Sequence, residues 1–317
     1  MRCVPSGNNG PLFTPAPAHP MIGALLAVAS AALLGLNSAI VRRGVQWAPP
    51  YYLIIFSLTA ATPVFIVLAF VTGQADRAGE LDGADYGYLA LAGLLNFIGG
   101  RYSNFMAIQA IGANLTAPVR SLSTLVSAVL GFAILGESIT ILRVAGIGLL
   151  VVAPLIAFSK PSQMKVELKS GRPLKLAQGF TFSGIAALSY AFSNFLIGYV
   201  LVETGLSILG AAVAHAAAAS VMLVTLALPK NIKGISGLNV NSLYVFLMVS
   251  GTIITAQVFR FTAFERAPVS VVSALIETLA FFGLGFAYLI NREHEVFSRQ
   301  IVAGVVLASI GAIVLMV

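Results

Sequence analysis

Apolar segments close to twenty residues long recur from one end of this sequence to the other, and that recurrence decides the class of fold. Each is long enough to cross the ~30 Å hydrocarbon core of a bilayer as a helix. Inside that core every backbone N–H and C=O must find its partner within the segment, which a helix provides. Only 9% of the 317 residues are charged, whereas 58% are hydrophobic. A soluble chain carries roughly 25% charged residues to cover its surface. The fold class read from the sequence is all-α integral membrane.

Charge and motif content narrow the function classes. On a soluble protein the net charge of +7 would suggest nucleic acid. Here the cations fall in connecting loops and read as membrane-flanking residues, so membrane lipid is the expected partner and nucleic acid is not. Cys3 is the only cysteine, which excludes an internal disulfide and a Cys-based metal site. His19, His215 and His294 are too scattered for a metal motif, so neither metal nor cofactor is expected. The phosphate-binding pattern Gly-x-x-x-x-Gly-Lys-Ser/Thr is missing, so transport would not be driven by ATP.

Ten spans are expected, at about 21–41, 50–73, 86–109, 114–135, 141–158, 178–201, 205–228, 242–264, 269–290 and 299–317. The breaks have local causes: Pro49-Pro50, the acidic stretch from Gln74 to Asp85, the turn Ile111-Gly112-Ala113, and Ala267-Pro268. Residues 1–20 read as a disordered tail and not a signal peptide, with Met21 as a second candidate start. A basic linker, 160–177, separates residues 21–159 from 178–317. Sliding the chain by 156 residues lays one half on the other. Gly23 meets Gly179, Tyr88 meets Tyr244, Phe105 meets Phe261, Glu137 meets Glu293, Arg143 meets Arg299 and Gly148 meets Gly304. The charged pairs share one register with the rest, which indicates duplication. Five spans per copy is an odd number, so the copies face opposite ways. Inverted repeats of this kind build secondary transporters with the substrate site between them.

Several stretches carry a resemblance: Leu135-Gly136-Glu137-Ser138-Ile139-Thr140 with Gly146-Ile147-Gly148-Leu149-Leu150, Arg292-Glu293 with Gly304, Ala263 through Ser270, and Tyr190-Ala191-Phe192-Ser193-Asn194-Phe195. In their duplicated arrangement they resemble the drug/metabolite transporter superfamily, specifically its EamA-like ten-helix members. The resemblance covers about 21–317. It implies a transporter of small metabolites in the plasma membrane, a central cavity built by spans one, three, six and eight, and both termini in the cytoplasm. The family commonly has a proline after the intramembrane glutamate of its ninth helix. This chain has Thr278 there, and Ser121 or Leu122 in the first copy.

Ionisable groups at membrane depth are costly and usually face a cavity or a partner. Arg101, Arg120, Arg260 and Glu277 are the main cases. Arg101 and Arg120 lie eleven and eight residues from Gly112, hence roughly 16 and 12 Å below one surface. Arg260 and Glu277 lie eight and nine residues from Pro268, hence roughly 12 to 14 Å below the other. Two readings stay open. Arg260 and Glu277 face each other across a hairpin and neutralise one another, leaving Arg101 and Arg120 to grip an anionic or zwitterionic substrate as a guanidinium fork does. Alternatively the arginines snorkel or bond carbonyls of a helix broken near Gly99-Gly100. Glu277 has a second role open to it, carrying a coupling proton. The polar neutrals Asn37, Asn104, Tyr190, Asn194 and Gln257 complete the candidate substrate site, with interhelical hydrogen bonding as the plainer reading of each. Glu137 and Glu293 are expected to pair with Arg143 and Arg299. The stripe Gly304, Ala308, Ala312 suits close packing, within the chain or across a homodimer.

The function expected is therefore secondary transport of an anionic or zwitterionic metabolite, such as an amino acid or related organic acid, by alternating access. The alternatives are a drug or cation carrier of the same superfamily and a membrane enzyme acting on lipid. The enzyme would need clustered acids, and only Asp76 to Asp85 offers any. The positive-inside rule puts the basic linker in the cytoplasm and both termini outside, opposite to what the resemblance implies.

Overall fold

The computed structural model describes residues 20–134, 140–157, 174–235, 240–267, 269–293 and 297–314. The expected tail apart from Pro20, most of the basic linker, Glu137, Pro268 and His294 lie outside them. The described residues are all-α: α1 (Pro20–Gly44), α2 (Pro50–Val71), a 3-10 turn (Ala78–Glu80), α3 (Gly83–Gly93), a π-helical segment (Leu94–Tyr102), α4 (Ser103–Ile111), α5 (Ala113–Arg120), α6 (Leu122–Ile134), α7 (Ile141–Ala157), α8 (Leu176–Thr204), α9 (Ser207–Leu226), α10 (Pro229–Ile235), α11 (Val240–Arg266), α12 (Val269–Glu277), α13 (Leu279–Ile290) and α14 (Arg299–Val314). Six helical stretches are long and apolar enough to cross a bilayer: α1, α2, α8, α9, α11 and the run Val271–Ile290. The chain is a multi-pass membrane protein.

Local chemistry sets the ends of these helices. Pro50 opens α2, where its missing N–H costs nothing. Asp82 and Asp85 form a reciprocal capping box that starts α3. Gln74 Oε1 accepts from the backbone N–H groups of Ile208 and Leu209 at 2.8 and 3.0 Å, satisfying the free donors at the start of α9. The α4–α5 turn is a single residue, Gly112, with φ +88°, which a side chain would strain. Arg42 Nη1 donates to the Ile108 carbonyl at 2.7 Å, placing a cation at the C-terminus of α4.

Two long stretches are interrupted at matching places. The α5–α6 stretch breaks at Ser121 and the α12–α13 stretch at Thr278. In each break the hydroxyl donates to the carbonyl three residues back, Ser121 to Pro118 at 2.8 Å and Thr278 to Leu275 at 2.6 Å. These side chains occupy the position where the resemblance led to an expected proline.

The packing partners exchange under the 156-residue offset. Helix α1 packs on α11, α12 and α13, while α8 packs on α3, the π segment, α4, α5 and α6. Helix α2 packs on α9 and on α11, and α9 on α3; α7 packs on α14. The largest apolar cluster joins α1, α2, the π segment, α8, α9 and α11. At its centre His215 stacks on Phe65 and Phe97, with ring centroids 4.5 and 4.2 Å away. Ala308 of α14 is buried with Ala153 of α7 and Ala274 of α12, and Gly304 is buried too, so these two residues of the small-residue stripe face the chain's own interior. Glu293 and Arg299 are both exposed, and among the described residues they form no ion pair, in contrast to expectation; at an exposed helix end such a pair gains little over separate hydration.

Candidate functional site

Polar side chains from seven helical elements meet at one cavity of about 60 Å³, room for a few waters. All nine residues singled out in the sequence line it: Asn37 from α1, Arg101 from the π segment, Asn104 from α4, Arg120 from α5, Tyr190 and Asn194 from α8, Gln257 and Arg260 from α11, and Glu277 from α12. Tyr190 and Asn194 stand four apart on α8, and Gln257 and Arg260 three apart on α11, so each pair shares a helix face. The four charged groups are buried, with 3 to 6% of their surface exposed. None of them snorkels.

The π segment explains how Arg101 arrives. In a π-helix residues five apart lie above one another, as residues four apart do in an α-helix. Asn96 and Arg101 therefore both face the cavity. The Gly99-Gly100 pair does not break the helix. It lets α8 approach, because a Cβ on Gly100 would stand 2.6 Å from the Tyr190 ring.

Glu277 pairs with Arg120 and not with Arg260. Arg120 Nη2 stands 3.1 Å from Glu277 Oε2, and Ser123 Oγ donates to Glu277 Oε1 at 2.8 Å. The α12 half-helix ends at Glu277 against α6, which brings it to the end of α5; Arg260 faces α8 and the π segment instead. The Arg120–Glu277 contact lies within ion-pair distance but lacks hydrogen-bond alignment, since neither Nη2 nor Oε2 makes a hydrogen bond.

Arg260 is held by neutral amides. Its Nη1 donates to Gln257 Oε1 at 3.1 Å and its Nη2 donates to Asn194 Oδ1. With its amide turned to suit its neighbours, Asn96 Oδ1 accepts from both Nη1 and Nη2 at 2.9 Å. Arg101 is held more loosely. Nη1 reaches Ser57 Oγ at 3.4 Å, the guanidinium carbon lies 4.5 Å from the Phe97 ring centroid, and Nη2 has no partner. Asn104 Oδ1 is also buried and unpartnered. Asn37 is structural in part: its Nδ2 donates to Thr252 Oγ1 at 2.8 Å and to the Val249 carbonyl at 3.3 Å, tying α1 to α11.

Sequence reasoning missed Ser123, which orients Glu277. The signal was present: Arg120, Ser123 and Ser127 recur at helical spacing, although Ser121 and Thr124 between them blur it. A second cavity of about 20 Å³ shares Ser38, Asn104, Arg120 and Leu279 with the first and continues past Ala117 and Thr116 to Ala113, beside the Gly112 turn. Among the described residues no group of three or more His, Cys, Asp or Glu is placed to hold a metal ion.

No curated protein sequence matches this chain. Among solved structures 26 chains match. One crystal structure has a TM-score of 0.64 and 15% identity, covering 92% of this chain and 94% of its own; at that identity the likeness concerns the fold alone. Residues 21–159 match the EamA-like transporter family, a family of transporters and not of enzymes. The chain is thus a multi-span helical membrane protein in which residues 21–159 are similar to the EamA-like transporter family.

Proposed function

We propose that the protein is a secondary transporter of the plasma membrane, carrying a small anionic or zwitterionic metabolite by alternating access. Ten spans form two inverted five-helix repeats, 21–159 and 178–317, which rock about the cavity. The exchange of packing partners under the 156-residue offset supports that arrangement, because each half presents its counterpart surface to the other. Arg101, Arg120, Arg260, Asn37, Asn104, Tyr190, Asn194 and Gln257 form the substrate site, with Glu277 as the counter-ion that holds Arg120 in place.

The carrying observation is the free Nη2 of buried Arg101 at the cavity wall. A guanidinium N–H without an acceptor is costly away from water, and a ligand oxygen removes that cost. The excess of arginine over carboxylate also disfavours a cation carrier. Proteoliposomes preloaded with unlabelled organic acids and amino acids, then given the same compounds labelled outside, test the reading. Accelerated counterflow of at least one compound is expected, with a roughly tenfold or greater loss in Arg101→Gln. Counterflow unchanged in Arg101→Gln would remove the residue from the site.

A further inference from the structure

We propose that the substrate carries two negative charges, as a dicarboxylate or a phosphate monoester does, and is not a zwitterion. This rests on the reading of the cavity as the substrate site. Its support is the charge balance of the wall. Three arginines and one carboxylate line the cavity, which leaves two positive charges in excess. Glu277 is committed to Arg120 and Ser123. The excess therefore falls on Arg101 and Arg260, two like charges that line the same cavity and repel.

The amides around Arg260 satisfy its hydrogen bonds but not its charge. Arg101 has neither a carboxylate nor a full set of acceptors. The ring faces of Phe97 beside Arg101 and of Phe261 and Phe264 beside Arg260 attract these cations but supply no counter-charge, and the cavity has space for little water. A zwitterion would add no net charge and leave both excess charges in place. A monoanion would leave one. A dianion balances the cavity, and charge-assisted contacts to guanidinium forks suit carboxylate and phosphate oxygens alike. Asn104 Oδ1 is a buried acceptor without a donor, which a hydroxyl on the dianion would fill.

Purified full-length protein near neutral pH, where a phosphate monoester is largely dianionic, provides the test. Binding is measured by calorimetry and by ligand-induced thermal stabilisation with four probes: L-malate, glycerol 3-phosphate, L-lactate and L-alanine. At least one of the two dianions is expected to bind roughly tenfold or more tightly than lactate or alanine. Malate alone would identify a dicarboxylate site, and glycerol 3-phosphate alone a phosphate-ester site. Arg101→Gln and Arg260→Gln should each erase the preference of that dianion over lactate. The comparison of probes on the unaltered protein does not depend on how the variants fold. If alanine or lactate binds as well as the dianions and loses binding in Arg101→Gln, the two-charge proposal fails while the substrate site stands. If no probe binds, or binding ignores both variants, the proposal and the site assignment fail together.

Discussion

Arg120 and Glu277 each depend on the other to be tolerated where they lie. Removing one partner of a buried ion pair costs about 3–5 kcal/mol, because the survivor keeps its desolvation penalty. Arg120→Gln and Glu277→Gln are each expected to lower stability by that order. The double variant should lose less than the sum of the two single losses, by a coupling of about 1–3 kcal/mol. Thermal unfolding of the purified protein, followed by loss of the monodisperse peak, measures it; two additive losses would show that the pair does not act as a unit. The sequence identified the residues but not their pairing. Eight and nine residues either side of Pro268 made Arg260 and Glu277 look like facing neighbours across a hairpin. The partner instead comes from 157 residues away, where two half-helices end side by side. Residue type and depth are local properties and can be read from spacing. Partner choice is a property of tertiary packing and cannot.

The helices around the cavity were legible as hydrophobic runs, but their irregularities were not. A π segment and a broken helix share one sequence signal, the Gly99-Gly100 pair, and differ only in the register of the backbone hydrogen bonds. Here α8 packs on the π segment, and its Tyr190 ring rests against Gly100. Gly100→Ala should therefore act through Tyr190. The new methyl stands too close to the ring for both to stay, and overpacking of this kind costs roughly 1–3 kcal/mol. Counterflow should fall through a raised KM, since Tyr190 is displaced from the cavity wall. A KM raised to a similar extent in Tyr190→Leu, with no further rise when the two substitutions are combined, would support this route, whereas an unchanged KM in the single variant would exclude it. The matched breaks add a second lesson. Sequence similarity pairs Arg120 with Ile276 at an offset of 156, yet the two half-helices end at Arg120 and Glu277, one residue out of that register. A slip of one residue at the turn is what sets the two charges end to end.

For the whole molecule the open question is how many times the chain crosses. Counting only the long apolar stretches gives six crossings, with α1 and α2 before the linker and four after it. An even number on each side would leave both termini and the linker on one face. The ten-span reading adds the stretch from Gly83 to Ile111, the broken α5–α6 stretch, α7 and α14. Helices α7 and α14 have 17 and 16 residues, roughly 25 Å of rise. That is short of the ~30 Å core, but a bilayer thins locally around a short span at modest cost. Helices α7 and α14 pack along one another and bury Ala153 and Ala308 against α12, as two neighbouring spans would. With ten spans, five precede the linker, so the linker faces away from both termini. Single cysteines at Ser6, Ser170 and Val317 in a Cys3→Ser background, probed in intact cells with a membrane-impermeant maleimide, separate the two counts. Ser6→Cys and Val317→Cys should behave alike and Ser170→Cys oppositely. Identical labelling at all three positions would reduce the crossings before the linker to an even number, and with that the inverted repeat, and the rocking motion built on it, would fail.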